Sequence, residues 1–66
     1  MNIVVNGEER TIQGELSVLG FLQAIQVDPK RVVVELNRAI LQRDRLAEVP
    51  LRDGDELEIV HFVGGG

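Results

Sequence analysis

The spacing of apolar and polar residues changes several times along this chain, and each change marks a predicted element. A short apolar stretch, residues 3–5, and the segment 10–12, Arg-Thr-Ile, lie on either side of Asn6-Gly7. Asparagine followed by glycine readily adopts the positive φ angles that a tight hairpin turn requires. The chain is therefore predicted to begin with two antiparallel strands.

A helix is predicted after the hairpin. Four apolar residues recur there at the i, i+3, i+4 and i+7 positions of one helix face: Val18, Phe21, Leu22 and Ile25. Ser17 directly precedes them and is a residue type that caps helix N-termini. Gly20 inside the helix costs about 1 kcal/mol relative to alanine, so we expect it to pack closely against the sheet in compensation.

The next segment predicts two further strands and a loop. Residues 31–36 contain three successive valines, whose β-branching favours a largely buried strand. Residues 39–41 form a short apolar run that fits a brief fourth strand. Residues 42–51 are predicted to be a loop that tucks Leu46, Val49 and Leu51 under the sheet.

The last strand begins after the turn formed by Asp53-Gly54. From Leu57 the side chains alternate between the two faces of a strand, so Val60 and Phe62 lie on the face opposite Leu57. If the helix covers the Leu57 face, Val60 and Phe62 remain partly exposed.

This order of elements predicts an α+β fold of the β-grasp, or ubiquitin-like, type. A mixed sheet of four to five strands, covered on one face by a single main helix, accommodates a hairpin, a helix and three further strands. We expect residues 1–63 to form this β-grasp domain and residues 64–66 to form a flexible C-terminal glycine tail.

Composition and charge narrow the possible functions. The chain has 66 residues, enough for one small domain, and 44% of them are hydrophobic, which is ordinary for a globular protein. It has no cysteine, which excludes a disulfide framework, a zinc-thiolate site and a thiol nucleophile. A net charge of −4 disfavours binding to nucleic acid. No signal peptide or membrane-spanning stretch is evident, so we expect a cytoplasmic protein that does not bind membranes.

The glycine triplet, Gly64, Gly65 and Gly66, is the most distinctive feature of the sequence. Glycine lacks a Cβ atom, so its backbone enters gaps too narrow for other residues. Three extended residues span about 10 Å, enough to carry a terminal carboxylate into the active site of another protein. The tail is therefore predicted to be the working part of the chain.

Other polar residues offer weaker signals. His61 is the only histidine and has no cysteine or second histidine beside it, so we interpret it as a solvated residue at a strand end rather than a metal ligand or a general acid-base group. The acidic residues Asp53, Asp55, Glu56 and Glu58 are interpreted as a turn followed by a solvated strand face. Their charge would also steer the chain toward a basic enzyme surface.

The chain resembles the ubiquitin-like sulfur-carrier proteins of bacteria, and most closely the ThiS family, the carriers for the thiazole half of thiamin. The resemblance covers essentially the whole sequence. Its most specific segments are Asn6-Gly7, Glu35-Leu36-Asn37, Asp53-Gly54-Asp55, Glu58-Ile59-Val60 and the terminal glycines.

This resemblance implies a function for the tail. An ATP-dependent adenylyltransferase, of the kind that activates ubiquitin, would adenylate the carboxylate of Gly66, which would then become a thiocarboxylate and donate sulfur to thiazole synthase. A cysteine desulfurase or a related donor would supply the sulfur. Gly64 and Gly65 would enter the active site of the partner, with Gly64 standing where relatives often have alanine. The carrier itself would not be catalytic and would need no cofactor.

The surface next to the tail is the predicted partner-binding site. Val60, Phe62 and Val63 are apolar, close to the glycines in sequence, and at least partly on the uncovered face of the predicted sheet. We therefore expect them to contact the partner enzymes.

The residues themselves agree with this implied chemistry. A carboxylate is a poor electrophile until one oxygen becomes part of a good leaving group such as AMP. The chain has no Gly-x-x-x-x-Gly-Lys phosphate-binding loop, so another protein must supply the activation. Without a thiol to hold a persulfide, carried sulfur would have to reside on the terminal carbonyl carbon.

Three alternatives remain at this point. The small subunit of molybdopterin synthase shares the fold and the thiocarboxylate chemistry, although such chains are usually longer. A ubiquitin-like modifier would instead attach its tail to lysine residues of target proteins. A plain interaction module would bind through the sheet face and make no use of the tail.

Overall fold

Within residues 1–62, five strands form one mixed sheet, and a single main helix packs on its inner face. A computed structural model of the chain describes residues 1–62. The elements are β1 (Asn2–Val5), β2 (Glu8–Thr11), α1 (Val18–Ala24), β3 (Val32–Leu36), β4 (Ala39–Leu41) and β5 (Glu56–His61). The predicted β-grasp fold is confirmed.

The last strand lies in the middle of the sheet. The strand order is β2-β1-β5-β3-β4, with β1 parallel to β5 and the other pairs antiparallel. The predicted boundary between a domain ending at residue 63 and a tail over residues 64–66 lies outside the described residues, so that division stays a prediction.

The hairpin forms as the sequence predicts. Val5 pairs with Glu8, which leaves Asn6 and Gly7 as a two-residue turn with φ angles of 49° and 83°. Both angles lie in the left-handed region that asparagine and glycine tolerate best. The second strand, however, begins at Glu8 rather than at residue 10, because the tight turn lets pairing start immediately.

The helix is capped as predicted, but its glycine packs differently. The Ser17 hydroxyl oxygen accepts a hydrogen bond of 3.0 Å from the Gly20 backbone N–H. A Cβ atom on Gly20 would lie 3.3 Å from both Leu16 Cδ2 and Ser17 Oγ. The atoms nearest to such a Cβ belong to the two residues that precede α1 and not to the sheet, so the expected close packing against the sheet is wrong.

The segment predicted to be a loop contains a 3₁₀ helix, Arg43–Glu48. Leu46 and Leu51 are buried, as expected, and Val49 is half-buried. Leu46 is placed by this helix, which lies beside α1, whereas the Leu51 N–H donates a hydrogen bond of 2.9 Å to the Leu16 carbonyl oxygen. A second 3₁₀ helix, Pro29–Arg31, follows Asp28, whose carboxylate accepts a hydrogen bond from the Lys30 backbone N–H. Both helices are too short to show the 3.6-residue periodicity on which the sequence prediction relied.

The core between the sheet and α1 is almost entirely aliphatic. Phe21 is its one aromatic member among the described residues. Complete burial of an aliphatic side chain contributes about 1.5–3 kcal/mol. The most completely buried side chains are Ile3, Val18, Leu22 and Leu57. Within residues 1–62, no helix is long and apolar enough to cross a membrane.

Candidate functional site

The outer sheet face, the side of the sheet opposite α1, carries an exposed apolar patch. Val33 of β3 pairs with Val60 of β5, and the two side chains are 39% and 52% exposed. Phe62 follows β5 directly and is 48% exposed. Because directly paired residues share a face of the sheet, Val33 and Val60 form one patch at the C-terminal end of β5. The prediction that Val60 and Phe62 stay partly exposed is confirmed.

A pair of carboxylates lies next to this patch. Glu35 of β3 is in register with Glu58 of β5, two pairs further from the C-terminal end of β5 than Val33 and Val60, and therefore on the same face of the sheet. Like charges directly opposite each other on a sheet repel. Within residues 1–62, the ion pairs are Arg31 with Asp28 and Arg45 with Glu48, so neither member of the carboxylate pair has a basic partner there. The outer sheet face is therefore apolar at one end and acidic beside it.

The four acidic residues between positions 53 and 58 have two different roles in the structure. Asp53 accepts a hydrogen bond from the Asn2 backbone N–H at 2.7 Å. Asp55 accepts one from the Arg52 backbone N–H at 2.7 Å and another from the Asn37 side chain at 3.0 Å. These two aspartates hold the turn before β5, whereas Glu56 and Glu58 are exposed on the strand itself.

The chain is held by backbone hydrogen bonding up to the last described residue. The Phe62 N–H donates a hydrogen bond of 3.2 Å to the Arg31 carbonyl oxygen. His61 is exposed at the strand end, as expected. The other predicted site residues, Val63, Gly64, Gly65 and Gly66, lie outside the described residues.

The two side-chain hydroxyl groups within residues 1–62 have structural roles. The Ser17 hydroxyl caps α1, and the Thr11 hydroxyl donates a hydrogen bond of 3.0 Å to the Asn2 side chain. No group of three His, Cys, Asp or Glu side chains within residues 1–62 is arranged to hold a metal ion.

Three residues of the outer sheet face were not predicted from the sequence to be part of the site: Val33, Ile40 and Glu35. Val33 was read only as one of three buried valines, although alternation along β3 places it opposite Val32 and Val34. Ile40 of β4 pairs with Glu35 and is 70% exposed, and alternation of side chains along β4 would have indicated its face in the same way. The approach of Glu35 to Glu58 depends on strand register, which one sequence does not reveal.

Comparisons with known proteins agree on one family. The ThiS family model matches residues 3–66. The chain is 46% identical, over 50 residues and 76% of each chain, to the sulfur carrier protein ThiS of Bacillus subtilis. A crystal structure of the thiamine biosynthesis protein (ThiS) from Geobacter metallireducens superimposes with a TM-score of 0.87, at 39% identity and with full coverage of both chains.

A longer relative is also similar. The chain is 44% identical over its whole length to a thiazole synthase of Paramagnetospirillum magneticum, but it spans only 20% of that protein. The similarity is therefore confined to one segment of the longer polypeptide.

Proposed function

This chain belongs to the ThiS family, and on that premise we propose that it is the sulfur carrier of thiamin biosynthesis. It acts as a protein co-substrate of partner enzymes and performs no catalysis itself. The observation that supports this most is the family match through Gly66, in a chain whose last described strand ends two residues before the three glycines. The exposed apolar residues at the C-terminal end of that strand could bind a partner protein to which the tail is delivered.

The proposed chemistry takes place at the carboxylate of Gly66. One carboxylate oxygen attacks the α-phosphorus of ATP in the adenylyltransferase, which forms an acyl-adenylate and releases pyrophosphate. A sulfur nucleophile then attacks the carbonyl carbon, the bond to the adenylate oxygen breaks, and AMP leaves. With a persulfide donor from a cysteine desulfurase, a thiol must then reduce the resulting acyl disulfide to give the thiocarboxylate.

Glycines suit the residues that enter the partner active site. Gly64 and Gly65 have no side chains, so they can pass through a narrow channel that holds water away from the reactive acyl-adenylate. In this proposal the flexible tail over residues 64–66 projects from a domain that ends at residue 63.

The part of the outer sheet face at the C-terminal end of β5 is the proposed docking surface. Val60, Phe62 and Val63 contact the partner, and Val33 extends this contact across the sheet. The acidic pair formed by Glu35 and Glu58 steers the carrier toward a basic partner surface, where a cationic side chain would relieve their mutual repulsion.

Thiazole synthase is the proposed acceptor of the sulfur. The relative from Paramagnetospirillum magneticum bears the name thiazole synthase and contains a segment similar to this whole chain. A carrier segment and a synthase in one polypeptide are held at high effective concentration, which is useful when one serves the other. This observation favours thiazole synthase over molybdopterin synthase as the acceptor.

Intact-mass spectrometry tests the proposal. After incubation with the adenylyltransferase, ATP and a sulfur donor, the carrier should gain the mass difference between one sulfur and one oxygen atom. The matched control lacks only Gly66, which should abolish the mass change and leave the circular dichroism spectrum unchanged. An unmodified parent chain, with a partner shown to be active on another carrier, would reject the proposed function.

Transfer to the synthase provides the second stage of the test. The thiocarboxylated carrier should lose its sulfur when incubated with thiazole synthase and its substrates, and retain it with molybdopterin synthase. Transfer to the latter alone would assign the chain to molybdenum cofactor synthesis instead.

A further inference from the structure

The last strand extends well beyond its parallel neighbour. β1 pairs with β5 only at Val4 with Glu56 and Val5 with Leu57, because β1 ends where the hairpin turn begins. On its other side, β5 pairs with β3 as far as His61. Beyond Leu57, therefore, the β1 side of β5 has no partner strand within the described residues.

A single side chain takes the place of the missing strand. The Asn6 Oδ1 atom accepts a hydrogen bond of 2.7 Å from the Ile59 backbone N–H, and Asn6 Nδ2 donates one of 3.2 Å to the Ile59 carbonyl oxygen. The two residues lie 53 positions apart in sequence. A carboxamide has the same donor and acceptor as a peptide group, so Asn6 supplies both hydrogen bonds that a strand residue would make.

The backbone of Asn6 restricts which residues can do this. Its φ angle of 49° lies in the left-handed region, which costs most non-glycine residues roughly 1–2 kcal/mol. Asparagine tolerates this region and also carries the carboxamide, whereas glycine tolerates it and carries nothing.

A second asparagine makes a similar arrangement at the other end of β5. Asn37 also has a positive φ, 51°, and follows β3 in the turn to β4. Its Oδ1 atom accepts a hydrogen bond of 2.9 Å from the Glu56 backbone N–H, and its own backbone N–H donates one of 2.8 Å to the Glu56 carbonyl oxygen. Asn37 thus anchors the first residue of β5, and Asn6 anchors the fourth.

We propose that Asn6 is a positioning residue that fixes the C-terminal half of β5, so that Phe62 and the residues after it are presented to the partner from a fixed base. This inference rests on the proposed function, because it assigns Asn6 a part in delivering the tail. Without the carboxamide, β3 alone would hold this half of the strand. The strand end would then fray, and the reactive terminus would spend less time in the productive geometry.

The structural part of the proposal is tested by amide hydrogen exchange on Asn6→Gly, with Asn37→Gly as the matched control. Each variant removes one carboxamide and keeps a residue that accepts positive φ. Asn6→Gly should accelerate exchange at Ile59 and Phe62 by about tenfold, whereas Asn37→Gly should accelerate it at Glu56 and leave Phe62 unchanged. Unchanged exchange at Ile59 and Phe62 in Asn6→Gly would overturn the proposal without reference to any activity.

The functional part uses kcat for thiocarboxylate formation, at saturating carrier and at a temperature where every variant is folded. A residue that only stabilises the fold would leave kcat unchanged under these conditions. Asn6→Gly should lower kcat by about tenfold, and Asn37→Gly should not. Asn6→Asp, which keeps the acceptor for the Ile59 N–H but loses the donor, should fall between the parent and Asn6→Gly.

Failure of the proposed function and failure of the positioning role of Asn6 would give different results. If the parent chain is never thiocarboxylated, the proposed function is wrong, and the exchange experiment still judges the anchoring role of Asn6. If the parent is modified and Asn6→Gly is modified with the same kcat, the carrier function stands and the positioning role is refuted.

Discussion

Replacing Val60 by aspartate tests whether the outer sheet face at the C-terminal end of β5 is the partner-binding surface. The Val60 side chain is 52% exposed, so about half of its apolar surface is left for a partner to cover. Complete burial of a valine is worth about 1.5–3 kcal/mol, which makes the lost apolar contact worth roughly 1 kcal/mol. The new carboxylate would also have to be desolvated in the interface, which adds about 2 kcal/mol.

Together these effects should raise the Kd for the adenylyltransferase by roughly 100-fold, since each 1.4 kcal/mol is a factor of ten. Isothermal titration calorimetry of the purified pair measures this directly. The matched control is Ile40→Asp, which puts the same group on the same face but at the edge strand β4. Both variants place aspartate in a strand, at a cost in stability of up to about 1 kcal/mol, so thermal unfolding must confirm that both are folded.

The control should change Kd by no more than about threefold, because Ile40 lies two strands away from β5. An unchanged Kd for folded Val60→Asp would show that this part of the face does not contact the partner. A large loss confined to Ile40→Asp would move the interface to the β4 edge. Either result would refute the reasoning that places docking beside the tail.

Two further predictions concern charge and packing. Glu58→Lys should convert the repulsive pair with Glu35 into an attractive one, which raises the free energy of unfolding by about 0.5 kcal/mol. The same substitution should slow association with a basic partner, as measured by stopped flow. Association rates that do not fall in the variant, or that do not depend on salt in the parent, would contradict the steering role. Leu22→Ala should lower the free energy of unfolding by about 3–5 kcal/mol in urea titration, because Leu22 is fully buried. Leu19→Ala on the same helix should lower it clearly less, because Leu19 is only half-buried. Equal losses in the two variants would show that burial does not set the cost.

Local patterns predicted most of the fold because each relied on interactions between near neighbours. The hairpin follows from the backbone preferences of Asn6 and Gly7, and the start of α1 follows from the capping ability of Ser17. The 3₁₀ helix Arg43–Glu48 was missed because it buries Leu46 as the only side chain in its span, which leaves no period to detect.

The site was predicted less completely, since it depends on contacts between distant parts of the chain. The exposure of Val60 followed from alternation within one strand. The approach of Glu35 to Glu58, and the reach of Asn6 to Ile59, depend on how β1 and β3 are aligned with β5. Alignment is set by the packing of the whole sheet, so no local pattern reveals it.

The position of β5 has a mechanical consequence for a protein whose proposed reactive group follows its last strand. A terminal strand at the edge of a sheet can be peeled away by breaking one ladder of hydrogen bonds at a time. β5 instead lies between β1 and β3, is bonded on its β1 side by Asn6 where β1 ends, and buries Leu57 and Ile59 in the core. A partner that binds the residues after Phe62 therefore pulls on an inner strand rather than on an edge strand, and in the proposed function the domain can remain folded while its terminus reacts.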